Sequence, residues 1–396
     1  MEHIRKLELK DTKAMFDLAA YAFNSEVSDE RKKRFDWIVE HSEAYGYIEG
    51  EQLISQLLST PFTVDFHGSK YKMGGVGCVS SYPEYRGQGS ITALMRRLLS
   101  DLAKEKTALS YLSPFSYPFY RRYGYEQLFE QIIYRIASTD WPKTTAAESS
   151  VYREDWSHAK SVIAEIYAEE LVKHPGALVR EDWWLEYKFA QGNEFRFAIA
   201  KSKEGQPLGY LVYKVTSEEF TINEWKALNK DAYSALAGFI GSHSGTTRQF
   251  YYEKGFIGEN LSYLMPAPVV EMKLVPYMMG RIVDFKTFIA SYPFQKYSTE
   301  YQFYLEIVDE FAPWNAGFWQ LKVKDGTAVL NQIEDKVFVE GKRVLSSGIQ
   351  GWTQLLMGYR TGAELNFHEI LSGSREMVVL LDQLIPDGKP VLEDYF

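Results

Sequence analysis

Hydrophobic positions along the chain follow two periods, and the alternation between them predicts an α/β (α+β) protein. His3–Leu7 reads as a short strand, after which Met15, Phe16, Leu18, Ala19 and Phe23 carry a helix that Asp11 can cap. A second apolar-faced segment begins at Phe35, Trp37, Ile38 and Val39. Tyr45–Ile48 and Leu53–Val64 follow as strands around the turn Glu49-Gly50-Glu51, and Tyr71–Ser81 as a third. Ile91, Leu94, Met95, Leu98, Leu99 and Leu102 then recur at the spacing of one amphipathic helix face. Thr107–Ser113, a helical stretch from Pro114 to Tyr125 and a strand at Gln131–Ile136 complete a unit of order β-α-α-β-β-β-α-β-α-β.

Composition turns small and polar over 138–150, which places a domain boundary at 142/143. Helices at Ala159–Glu170, Asp182–Phe189 and Lys230–Ile240, with strands at Phe195–Ala200, Leu208–Val215 and Phe220–Asn223, repeat the first unit in degraded form. The pattern alone also fits an unrelated α/β domain. A further change around Met279–Asp284 opens a third unit. It holds strands at Tyr301–Val308, Gly317–Val323 and Ala328–Gln332, helices at Gly351–Leu365 and Ser374–Leu384, and an extended tail from Pro390 to Phe396. Tails usually fray, yet Val391, Leu392, Tyr395 and Phe396 are apolar enough to dock. The expected domains are 1–142, 143–285 and 286–396.

Length agrees with this, since 396 residues exceed one ordinary domain. The net charge of −9 argues against a nucleic-acid partner and suits a cationic or amine-bearing one. One cysteine excludes an intramolecular disulfide, and no Cys/His cluster has zinc spacing, so no metal is expected. The N-terminus has no signal-peptide pattern and no apolar run approaches a membrane span. These features lead us to expect a cytoplasmic protein with no membrane partner.

Chemistry enters at Tyr82-Pro83-Glu84-Tyr85-Arg86-Gly87-Gln88-Gly89-Ser90-Ile91, which joins the strand ending at Ser81 to the amphipathic helix. Free N–H groups and the dipole at a helix N-terminus favour an anion, glycines allow close approach, and Arg86 adds a fixed charge. The stretch therefore reads as a pyrophosphate cradle. It is neither a Walker loop nor a dinucleotide fingerprint. It resembles the acyl-CoA loop of the GNAT acetyltransferases, Arg/Gln-x-x-Gly-x-Gly/Ala, with Arg86 and Gly89 in place. Ile91 stands where that pattern has a small residue, and a bulky aliphatic there is similar to the Eis-type (enhanced intracellular survival) acetyltransferases. Pro118-Phe119-Tyr120-Arg121-Arg122-Tyr123-Gly124-Tyr125 resembles the family's second motif, Phe-Tyr-x-x-x-Gly-Phe/Tyr.

The resemblance spans nearly the whole chain. It implies tandem GNAT-like domains, the second lacking the acyl-CoA loop, followed by a sterol-carrier-like domain. It further implies acetyl-CoA as co-substrate, an amine acceptor (an aminoglycoside, a polyamine or lysine), direct transfer in a ternary complex, and a hexamer. The implied cofactor-contacting positions are Val79, Ser80, Ser81, Arg86, Gly87, Gln88, Gly89, Ser90, Ile91, Thr92, Phe115 and Ser116. Tyr120 matches the phenolic general acid, and the carboxylate of the terminal Phe396 matches the general base. Glu393 and Asp394, with Glu26, Asp29, Asp36 and Glu40, are acidic candidates to attract a cationic acceptor. Two other functions fit part of the pattern: a non-catalytic acyl-CoA or lipid sensor, and an aminoacyl or long-acyl transferase with tandem GNAT lobes.

Overall fold

The computed structural model describes residues 3–144, 146–192, 194–255, 270–334 and 343–396. The chain forms two compact units that are not contiguous in sequence. One comprises Met1–Phe129, His174–Leu178 and Tyr277–Phe396, the other Glu130–Lys173 and Val179–Pro276.

In the first unit, β1 (Ile4–Leu7), β2 (Glu43–Glu49), β3 (Gln52–Phe66), β4 (Ser69–Ser81) and β5 (Leu109–Leu112) lie side by side in that order. The long β3–β4 hairpin turns at His67-Gly68, both with positive φ, and Asp65 Oδ1 accepts the Gly68 N–H at 2.9 Å. Helices α1 (Thr12–Ala22), α2 (Asp29–Glu40), α3 (Ser90–Lys104) and α4 (Tyr117–Arg121) complete this part. The apolar stripe of α3 sets Leu94, Met95, Leu98 and Leu99 against Tyr45, Leu57, Val76 and Leu112, all nearly or fully buried. Burial of each such leucine contributes about 1.5–3 kcal/mol relative to exposure, so this helix fixes where its own N-terminus points.

Past β5 the sheet continues through a strand from much later in the chain, Met279–Ile282. It pairs antiparallel with β5 on one side and with β6 (Glu126–Gln127) on the other. The segment 131–136, expected as the last strand of the first domain, lies elsewhere. As β7 (Glu130–Ala137) it pairs antiparallel with two strands of the second unit. That unit's other strands are β8 (Ser150–Glu154), β10 (Arg196–Lys201), β11 (Pro207–Val215), β12 (Glu219–Ala227), β13 (Gln249–Gly255) and β14 (Glu271–Pro276), whereas the two-residue β9 (Leu178–Val179) pairs with β3 in the first sheet. Its seven-stranded sheet has the order β14-β7-β13-β12-β11-β10-β8, packed with α5 (Trp156–Glu170), α6 (Asp182–Leu185) and α7 (Lys230–Gly241). Thus Met279–Ile282, here β15, and β7 fill equivalent positions, each in the sheet that the other's sequence neighbours build.

The crossover is visible in the backbone. The Leu128 and Phe129 N–H groups both donate to the Met278 carbonyl at 3.1 Å, and Tyr277 N–H donates to Phe129 at 2.9 Å. Side-chain alternation reports which face of a strand is buried, not which strand is its partner, so the sequence pattern allowed either arrangement.

The rest of the first unit is a five-stranded sheet, order β18-β17-β16-β19-β20, built from β16 (Tyr301–Val308), β17 (Gly317–Lys324), β18 (Thr327–Ile333), β19 (Val344–Gly348) and β20 (Leu371–Ser372). Helices α8 (Phe285–Ala290), α9 (Ile349–Leu356), α10 (Gly362–Phe367) and α11 (Arg375–Asp382) pack with it. The single helix expected over 351–365 is two, because Gly358 has φ +72° and Thr361 caps a new helix with Glu364. No described helix is long and apolar enough to cross a membrane.

Candidate active site

The site is organised by a bulge in β4. On β3 only Leu57 lies between Gln56 and Leu58, while Cys78 and Val79 both lie between their β4 partners Ser80 and Gly77. Cys78 takes φ +51°, and an extra residue of this kind bends the strand. On its other edge β4 pairs with β5 only from Met73 to Val76, after which β5 ends at Leu112. The backbone of 77–81 therefore faces away from β5 partners and can accept an extended ligand as an added strand.

Beyond Ser81 the loop runs into α3 through Gly87 (φ +79°) and Gly89 (φ +86°), the latter at the cap position. Built Cβ atoms at either glycine meet nothing within 4 Å, so the constraint there is backbone conformation rather than crowding. The first N–H groups of α3 have no intrahelical acceptor and open towards a cavity of about 580 Å³. Ten of the twelve implied cofactor positions line it: Val79, Ser80, Ser81, Arg86, Gly87, Gly89, Ser90, Ile91, Thr92 and Phe115. Gln88 does not, since its amide turns back to the Glu84 carbonyl (3.1 Å). Ser116 does not either; its hydroxyl accepts from Phe119 N at the start of α4. Ser81 and Ser90 hydroxyls both meet the buried Ser55 Oγ, at 2.7 and 2.8 Å, so their side chains brace the loop and their backbone is what a ligand can use.

The lining contains two guanidinium groups and no carboxylate. Arg86 was expected; Arg122 was not. Its neighbour Arg121 is neutralised by a bidentate contact to Glu126 (2.7 and 2.8 Å), whereas Arg122 lies over the Phe119 ring at 4.7 Å. Ala22, Phe23, Tyr85, Phe119 and Tyr123 also line the cavity, and Thr92 and Tyr123 share a hydroxyl contact of 3.0 Å.

Tyr120 is 2% exposed among the rings of Phe115, Phe119, Tyr123 and Tyr125 and is not part of the cavity wall. Burial, and then neighbouring Tyr125, Tyr123 and Tyr395, raise its phenol above the ordinary value, so it keeps its proton at neutral pH. Tyr125, bonded to Ser110 at 2.7 Å, is pushed up to about 12 by burial. Burial pushes the Cys78 thiol up to about 11, which removes it as a nucleophile near pH 7.

Phe396 lies in the same unit as the loop. Its ring packs on Phe62 (centroids 5.0 Å apart), and a Cβ built on Gly75 would come 2.8 Å from that ring. A Cβ built on Gly77 would stand 3.4 Å from the Phe396 carboxyl carbon. The glycine run of β4 is thus a landing strip for the chain's end, placing the terminal carboxylate one residue before the bulge. Tyr277 Oη donates to the Asp394 carbonyl at 2.9 Å. Glu393 and Asp394 are 1% and 0% exposed, so neither offers its carboxylate to an incoming cation as expected.

The motif holding Tyr120 is anchored from the other end of the chain. Arg281, 0% exposed, donates to the Tyr123 carbonyl and pairs with buried Asp309 at 2.6 Å. Gln350 and Gln354 of α9 donate to the Arg121 and Gln127 carbonyls at 3.0 and 2.9 Å.

In the second unit the corresponding place is closed. Thr221–Lys226 lies inside β12, and only Leu228 and Asn229 separate that strand from α7. Asn229 caps α7 through Ala232 N (2.9 Å), and no glycine turn precedes it. Nearby Glu224 is fully buried and held by Arg180 (2.6 and 2.7 Å), Lys188 (2.9 Å) and Tyr210 (2.6 Å).

A bulged, splayed β4, a glycine turn and a helix N-terminus around an acid-free cavity define an acyltransferase of the GNAT kind. Comparison with known proteins agrees. Models of the acetyltransferase (GNAT) domain match residues 3–128 and 176–282, and one of the sterol carrier protein domain matches 285–393. A conserved protein from Enterococcus faecalis V583, described as a "probable N-acyltransferase", is 44% identical with a TM-score of 0.94 and 99% of each chain covered. The chain belongs to this GNAT acetyltransferase family. Eis1 from Mycobacterium abscessus shares the fold at 19% identity, with TM-score 0.80 and coverage of 99% and 100%. A protein described as an uncharacterized N-acetyltransferase from Streptomyces avermitilis is 21% identical over 80% of this chain and 82% of its own. The tandem GNAT and sterol-carrier-like architecture expected from the motifs is therefore the architecture present.

Proposed function

We propose that the protein is an acetyl-CoA-dependent N-acetyltransferase that passes the acetyl group directly to an amine. The observation that carries this reading is the seating of the Phe396 carboxylate beside Gly77, next to the Cys78–Val79 bulge, where Val79, Ser80 and Ser81 line the cavity. Pyrophosphate would rest on the N–H groups opening α3 with Arg86 beside them, and the pantetheine arm would pair with the β4 edge beyond Val76.

The amine nitrogen attacks the thioester carbonyl carbon; a C–N bond forms and the C–S bond breaks. The Phe396 carboxylate takes the proton released by nitrogen, and Tyr120 Oη donates to the departing sulfur. With its pKa raised, Tyr120 is a weak acid before charge develops, so its first contribution is a hydrogen bond to the sulfur as the C–S bond lengthens. Cys78 carries no acyl group in this scheme.

The net charge of −9 favours a cationic acceptor such as an aminoglycoside, a polyamine or a lysine side chain. A cytoplasmic hexamer is the assembly and location that the resemblance supports. The test is turnover of acetyl-CoA against those three amine classes, with product mass read directly. Acetylated amine supports the reading. Binding of acetyl-CoA without transfer to any amine would overturn it in favour of a sensor.

A further inference from the structure

The segment His174–Leu178 stands out because the chain on both sides of it, Glu130–Lys173 and Val179–Pro276, belongs to the second unit while these five residues belong to the first. Its backbone explains the placement. Gly176 N–H donates to the Asp65 carbonyl at 2.6 Å and Asp65 N–H donates to Ala177 at 3.0 Å, extending the end of β3. Ala177 N–H donates to the His174 carbonyl at 3.1 Å, which closes a turn with His174 at its head. Gly176 sits at φ +87°, a conformation that favours glycine, and a Cβ there would come 3.4 Å from Met357, Phe129 and Pro390.

The same turn receives the C-terminal tail. Val391 N–H donates to the Pro175 carbonyl at 2.9 Å, and His174 Nδ1 lies 3.4 Å from Glu393 Oε2. Those two side chains are 3% and 1% exposed. A carboxyl group buried so completely needs a polar partner, and the His174 ring nitrogen that faces it is the side-chain nitrogen placed to donate. From Glu393 the chain has three residues, at most about 11 Å, before it ends. Glu393 is thus close enough along the chain for its placement to bear on that of the terminal carboxylate. Neither residue lines the cofactor cavity.

We propose that His174 is a positioning residue: through Glu393 it holds the Phe396 carboxylate in register with the β4 bulge. The proposal rests on the reading of Phe396 as the base. The His174 turn and Tyr277 hold the tail at residues 391, 393 and 394, and Gly75 and Phe62 receive the ring at 396.

The test compares wild type with His174→Gln and Glu393→Gln, the second replacing the carboxyl group by an amide of almost the same volume. Two measurements are made on each: release of Phe396 and Tyr395 by carboxypeptidase A, followed by intact mass, and kcat with KM for acetyl-CoA. Both variants should release the tail about tenfold faster and lose about tenfold in kcat while KM stays within about twofold. The double variant should lose no more than either single one, because both act through one contact. A tail still protected in both variants overturns the proposal whatever kcat does. A tail released faster with kcat unchanged leaves His174 as the tail's anchor but removes Phe396 as the base, so the two readings fail separately.

Discussion

One added methyl group at residue 75 should unseat the C-terminus. A Cβ at Gly75 would lie 2.8 Å from Phe396 Cδ2 and Cε2 and 2.8 Å from Phe62 Cε2. Carbon atoms rest at about 3.5–4.0 Å, so both rings must retreat by about 1 Å. Phe62 is buried within β3 and can only shift slightly, whereas Phe396 is attached to the chain on one side only and gives way further. Displacing a reacting group by about 1 Å costs about 100-fold in rate. Gly75→Ala should therefore lower kcat by about that factor, while KM for acetyl-CoA stays within about twofold because Gly75 is not in the cavity wall. Stability should fall by the about 1–3 kcal/mol of ordinary overpacking, since the buried Phe62 must shift as well as the tail. Steady-state kinetics at saturating acetyl-CoA, beside a denaturant titration, measures both quantities. Phe396→Leu in the Gly75→Ala background shortens the clashing side chain, keeps the carboxylate and should recover part of the loss. A folded Gly75→Ala enzyme turning over at the wild-type rate would refute the reasoning.

Other consequences follow from the same geometry. Tyr120→Phe should reduce kcat by about 10²–10⁴-fold with little change in KM for acetyl-CoA; equal turnover would remove Tyr120 from the chemistry. Asp309→Ala leaves the Arg281 guanidinium buried without its carboxylate and should cost about 3–5 kcal/mol by denaturant titration. The paired change Arg281→Met with Asp309→Leu should recover most of that loss, and a cost below about 1 kcal/mol for Asp309→Ala would contradict the burial described. The Cys78 thiol should alkylate slowly at pH 7, with the rate rising roughly tenfold per pH unit until it levels near pH 11. Fast labelling at neutral pH would show that the thiol is not held protonated.

Much of the first domain was legible because its signals are local. A helix stripe, a glycine turn and an aromatic motif each lie within a few turns of chain; Arg86 and Gly89 line the cavity, whereas Tyr120 lies outside its wall. The strand exchange was not legible. Gln131–Ile136 has the alternation of a half-buried strand in either sheet, and only the backbone crossover at Phe129 and Tyr277 decides between them. The helix expected over 351–365 failed at Gly358, whose positive φ a hydrophobic pattern does not report. Arg122 was masked by its neighbour: two adjacent arginines look alike in sequence, and the partner that neutralises Arg121 is Glu126. The tail's aromatic end was readable as able to dock, but its seat was not. The signal lay in Gly74-Gly75-Val76-Gly77, where strand glycines mark the close approach of another group. His174 and Glu393 are more than two hundred positions apart, and no local pattern joins them.

The central claim is that the chain's own terminus is the base. A single glycine added after Phe396 moves the carboxylate and leaves every side chain in place. The account expects the extended enzyme to bind acetyl-CoA with unchanged affinity and to lose at least about 100-fold in turnover on an amine that the wild type acetylates. Equal turnover by the two forms would contradict it.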